Sequence, residues 1–211
     1  MIGLAVALGG YYLLALALYA AVKPPPDNPW YALLYTTAQV IGFVLLLAIT
    51  RAEGYGTWSG AFRSIYTGGL GRREILYAFA ALGAAFMLWW PINLMLSALG
   101  MSWPKWGYST SGLNAVPVAI WALGAAFFEE GFFRGYSIPR LNKAVGTAGA
   151  LLITSAASAA IHLRFGPALS VYIFFWALIA GGLFLYTKST WSCFLYHAAN
   201  NVIVDFLIYG R

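Results

Sequence analysis

The chain has 211 residues, of which 62% are hydrophobic, 18% aromatic and only 9% charged, with a mean hydropathy of +0.76. That composition excludes an ordinary soluble domain and points to a polytopic membrane protein. The net charge of +6 does not argue for a nucleic-acid partner, because the Lys and Arg residues gather at the ends of apolar runs, where lipid headgroups account for them.

In chain order, apolar stretches long enough to cross a bilayer as helices fall at 2–22, 30–50, 75–99, 113–137, 145–163, 168–187 and 191–209. The first has no basic residue ahead of it and is too long for the apolar core of a signal peptide, so it is expected to be a retained span. A connector of Lys23-Pro24-Pro25-Pro26-Asp27 follows it, and a Gly- and Arg-rich connector, 51–74, follows the second. Pro91 and Asn93 in the third run suggest a kink, while Trp89, Trp90, Trp103, Trp106 and Tyr108 around its end read as an interfacial aromatic belt. The runs are continuous rather than alternating, which excludes a β-barrel and leaves helices to satisfy the backbone. The expected fold is therefore all-α, a transmembrane helix bundle of about seven spans forming a single membrane domain over 1–211.

With seven spans, the loops on the N-terminal side carry Arg51, Arg63, Arg72, Arg73, Arg134, Arg140, Lys143 and Lys188, against Lys23, Lys105, Arg164 and Arg211 on the other. The positive-inside rule then puts the N-terminus in the cytoplasm. Cys193 is the single cysteine and is expected to be a small buried core residue, which leaves no intrachain disulfide or multi-cysteine metal site.

Charges inside an apolar chain demand an explanation, and Glu129 and Glu130 close the fourth run with Arg134 following. On a continuing α-helix Glu130 and Arg134 are one turn apart and can pair, whereas Glu129 points about 100° away and is left to face a cavity. Alternatively, both acids mark the water interface at a helix end. The two histidines also lie in apolar runs: His162 ends the fifth, after a run of small residues from Ser155 to Ala160 that favours close helix approach, and His197 shares a face of the last with Asn201, four residues on. Asn200, at i+3 from His197, is close enough that the sequence leaves open which amide joins it. Asp205 and Arg164 are read as interface residues.

Glu129-Glu130-Gly131-Phe132-Phe133-Arg134 resembles the EExxxR motif of the CAAX prenyl protease and bacteriocin-processing family, also called Abi, of glutamic intramembrane proteases. His162 is similar to that family's second motif and His197-Ala198-Ala199-Asn200-Asn201 to its third, HxxxN, in the expected order, so the resemblance covers 124–205. It departs from FxxxH at Ser158, which stands where an aromatic would pack against the site. His162 also lies further from the cytoplasmic side than Glu129 and His197 if the spans are straight, so tilt or a late start of the fifth span is needed to bring them level.

The resemblance implies an intramembrane endopeptidase in which Glu129, assisted by His162, activates water, and His197 and Asn201 donate hydrogen bonds to the oxyanion, while Glu130 and Arg134 support the helix geometry and charge. It implies no cofactor. One Glu and two His also make a plausible zinc set, so a zinc-dependent membrane protease stays as an alternative. The implied partner is a membrane-associated protein or peptide, a prenylated CAAX protein or a C-terminally anchored precursor. A non-catalytic bacteriocin-immunity or peptide-binding protein of the same fold has no need of the complete reacting set, and a proton-coupled transporter is expected to show repeats or broken helices.

Overall fold

The computed structural model describes residues 31–103 and 115–208. The expected span at 2–22, the proline connector, Lys105, Trp106, Tyr108 and Arg211 lie outside them. Among the described residues every regular element is helical: α1 (Tyr31–Thr50), α2 (Trp58–Ile65), α3 (Arg72–Ala98), α4 (Ala115–Glu130), α5 (Ile138–Ile161), α6 (Pro167–Thr187) and α7 (Thr190–Val202). Three π-helical stretches, Arg51–Tyr55, Gly131–Ser137 and Ile203–Ile208, extend α1, α4 and α7. Four helical runs are long and apolar enough to cross a membrane, Thr36–Tyr55, Arg72–Ala98, Ala115–Ile161 and Pro167–Thr187. Exposed apolar side chains such as Leu76 and Met87 on α3 are what a lipid-facing surface requires.

The chain divides into two compact units, Met1–Ile65 with Trp106–Phe132 and Ala198–Arg211, and Tyr66–Lys105 with Phe133–His197. In the first unit α1 and α4 run in the same direction. Gly124 brings them close, because a Cβ there would stand 3.2 Å from Thr36 Cγ2 and 3.3 Å from Gln39 Oε1. One turn on, Phe127 packs edge-on against Phe43 with centroids 5.0 Å apart, and Phe62 of α2 joins them. Small residues on α4, with Ala122, Ala125 and Ala126 buried, make this approach possible without a hydrophobic driving force between helices.

The second unit is built on α6. It runs antiparallel to α3, which Tyr77 and Tyr186 join at one end and the Tyr172 hydroxyl, donating to the Ala85 carbonyl, further along. It is antiparallel to α5 as well, since Ser170 Oγ donates to the Ala159 carbonyl at 2.7 Å near one end, and Gly181 accommodates Leu151 towards the other. The α5–α6 turn is tight: His162 caps α5, Leu163–Phe165 form a 3₁₀ turn, Gly166 takes φ 111°, and Pro167 starts α6. Pro91 sits within a continuous α3, and the Asn93 side chain accepts a hydrogen bond from Trp103 Nε1, which gives that intramembrane amide a structural partner.

The α6–α7 corner orients α7. Lys188 adopts a left-handed conformation (φ 56°) and donates its N–H to the Phe184 carbonyl, and Ser189 Oγ caps α7 by accepting from the Ser192 N–H while donating to the Gly69 carbonyl. Thr67 closes the clasp from the other side, its hydroxyl donating to the Lys188 carbonyl and its carbonyl accepting from the Thr190 N–H.

Candidate active site

Glu129 and Glu130 form the last turn of α4. Glu130 is fully buried and Glu129 half-buried, so two adjacent carboxylates have different surroundings. The next seven residues, Gly131–Ser137, form a π-helical stretch. Its i→i+5 hydrogen bonding winds the chain more widely than an α-helix does, and π-turns recur at functional sites. Phe128 and Phe132 stack across this junction at 6.2 Å.

Arg134 belongs to the second unit, where it is 2% exposed. Its Nη2 donates to the Ala177 carbonyl at 3.1 Å, and its guanidinium lies 5.9 Å from the Trp176 ring centre and 5.8 Å from that of Phe133. A buried cation with a carbonyl acceptor and an aromatic face is a strong tether between the π-turn and the middle of α6.

His197 meets the same tryptophan. It is 8% exposed, and its ring stands edge-on to Trp176 with centroids 4.7 Å apart. One residue earlier, Tyr196 stacks on Trp176 at 4.6 Å and donates its hydroxyl to the Trp176 carbonyl. Cys193, a turn before His197, is fully buried with its thiol towards the Ala180 carbonyl, a packing position in agreement with the sequence reading.

His162 sits at the α5–α6 turn. Its Nδ1 is 2.7 Å from the Ser158 carbonyl, and an acceptor-only carbonyl requires that nitrogen to carry the proton, so in the neutral ring Nε2 holds the lone pair. The Phe165 ring lies 6.1 Å away. The residue that departs from FxxxH thus contributes its backbone instead of an aromatic ring. Within the second unit His162 and His197 stand at different levels: Ala159 is level with Ser170, and Trp176 is six residues further along α6, about 9 Å.

Asn201 belongs to the first unit. Its Nδ2 donates to the Ala122 carbonyl of α4 at 3.1 Å, two turns before Glu129, while its Oδ1 accepts from Asn200 Nδ2 at 3.4 Å. Asn201, rather than Asn200, therefore bonds α4. Asp205 lies in the π-helical stretch that follows α7. Within either unit, no three described His, Cys, Asp or Glu side chains are grouped to hold a metal ion. Trp176 carried no signal in the sequence, being one aromatic in an apolar run; the Ala122 and Ala177 carbonyls, as backbone groups, could carry none.

All six motif residues, Glu129, Glu130, Arg134, His162, His197 and Asn201, fall within residues 111–203, which match the family model of the type II CAAX prenyl endopeptidases, Rce1-like. The match spans 93 of the 211 residues. The Rce1-like family is a family of membrane peptidases, and with its apolar helices the chain is an integral membrane protein. No curated protein and no solved structure matches it.

Proposed function

We propose that this Rce1-like chain is an intramembrane endopeptidase of the glutamic type, cutting a membrane-associated protein near its C-terminus. The observation that carries this reading is the ordered set of Glu129, His162, His197 and Asn201 inside the matched segment. Glu129 removes a proton from water as the water oxygen attacks the peptide carbonyl carbon. The carbonyl electron pair becomes an oxyanion, to which His197 and Asn201 donate. Collapse of the intermediate breaks the C–N bond, and the proton held by Glu129 passes to the leaving amine. His162 assists through Nε2, whose lone pair the Ser158 contact leaves unprotonated. Glu130 and Arg134 act on structure and charge, and the Arg134 tether to α6 supports that division. No covalent intermediate and no cofactor is needed. The substrate is a prenylated CAAX protein or a C-terminally anchored precursor, and the chain works as one domain of about seven spans with its N-terminus in the cytoplasm.

The test is cleavage by purified protein in liposomes of a panel of prenylated CAAX peptides and anchored precursors, beside Glu129→Ala and excess chelator. Cleavage lost in Glu129→Ala and kept with chelator is expected. Loss with chelator would make it a metallopeptidase, and no cleavage of any substrate by the folded protein would favour a binding role. His162, offset from Trp176, is the sharpest internal check: unchanged rates in His162→Ala would leave Glu129 to activate water alone.

A further inference from the structure

Trp176 holds a buried donor that has no acceptor among the described residues. The residue is 3% exposed and its Nε1 has no hydrogen-bond partner. Leaving such a group unsatisfied is costly, because its desolvation is not repaid. Three other buried polar atoms without partners, on Ser155, Ser192 and Gln39, have local remedies. The Ser155 and Ser192 hydroxyls can rotate towards carbonyls of their own helices, and the Gln39 amide can exchange its oxygen and nitrogen. An indole N–H has no such freedom, because it moves only with the ring.

The ring itself is held from several sides. Tyr196 stacks on it with an interplanar angle of 29°, His197 meets it at 70°, and the Arg134 guanidinium lies over it. The Trp176 carbonyl is also engaged, by the Tyr196 hydroxyl. Nε1–H is a donor only, so what completes it must bring an acceptor oxygen. The indole that carries this donor has its ring centre 4.7 Å from that of His197, the group assigned above to the oxyanion. A substrate strand in a low-dielectric site needs a donor for every backbone carbonyl it carries in, because no bulk water is there to serve them.

We infer that Trp176 is a substrate-binding residue, its indole N–H donating to a backbone carbonyl of the peptide next to the scissile one. This rests on the peptidase reading. It makes Trp176 a ground-state contact, distinct from the packing that its ring gives His197.

The two roles separate when 3-benzothienylalanine, which keeps the shape of the ring and lacks the N–H, is placed at position 176. KM for the best peptide of the panel is expected to rise about tenfold with kcat within about twofold, the pattern of a uniform binding contact. Trp176→Phe, which also loosens His197, lowers kcat as well. A second arm measures peptide affinity in Glu129→Gln, with and without the replacement, so that binding is read apart from cleavage; the same weakening is expected. Unchanged KM and affinity would make the N–H a packing accident, and a fall in kcat alone would make Trp176 a support for His197; either overturns the inference while leaving the peptidase reading intact. A wild-type protein that neither cleaves nor binds any peptide would overturn both.

Discussion

Arg134 shows how one side chain can be fixed by groups that a motif does not name. Its charge is buried against the Ala177 carbonyl and the Trp176 ring, so Arg134→Ala removes a charge-assisted hydrogen bond and a filled volume together. The expected loss is about 2 kcal/mol, read as a lower unfolding midpoint in detergent, and Arg134→Lys recovers only part of it because the planar fork is lost. The observed hydrogen bond of Asn201 and the oxyanion role proposed for it act on separable scales. Its hydrogen bond to Ala122 is worth about 0.6 kcal/mol by the usual value for interhelical bonds in membranes, so Asn201→Ala should barely move the midpoint. Cleavage, by contrast, should fall roughly a hundredfold if the amide serves the oxyanion. Asn200→Ala is expected to stay within a few fold of wild type, and a larger loss would transfer the role to Asn200.

Elements are placed by their corners. The loop before α3 and the corner between α6 and α7 grip each other through Thr67, Gly69, Lys188 and Ser189, and this grip sets where α7, and with it His197, begins. Gly68 is the position where nothing larger fits: it has φ 71°, and a Cβ would stand 2.7 Å from Ser189 Cα, a backbone atom that cannot step aside. Gly68→Ala should cost about 2 kcal/mol or more and lower cleavage with it, measured as midpoint and rate on the same preparation. Lys188 is the opposite case, a side chain in a left-handed position. Lys188→Gly should raise stability by about 1 kcal/mol, read as a higher midpoint, with activity unchanged.

At the scale of the whole molecule, orientation can be read with the protein's own cysteine out of the way. Cys193 is fully buried, so the wild-type chain should resist a membrane-impermeant maleimide. In the second unit Arg72 opens α3 beside the end of α6, whereas Met101 follows the other end of α3. Arg72→Cys and Lys188→Cys should therefore be labelled from the cytoplasmic face and Met101→Cys from the opposite one. Labelling of all three from one side would overturn the topology.

Continuous apolar runs are a local property, and they alone determined that this chain is an all-α membrane protein, in which four helical runs among the described residues are long and apolar enough to cross a bilayer. The EExxxR, His and HxxxN pattern is local too, which is why the Rce1-like domain was legible before any coordinates. The sequence could not show the partners of those residues, because Arg134, Asn201 and His162 each bond to a backbone carbonyl, and every residue has one. Nor could it show the π-turn after Glu130, since α and π winding share one apolar composition and differ in backbone hydrogen bonding, which residue type does not specify. Trp176 was invisible for the same reason: only packing made one tryptophan of nine the ring that both Arg134 and His197 touch.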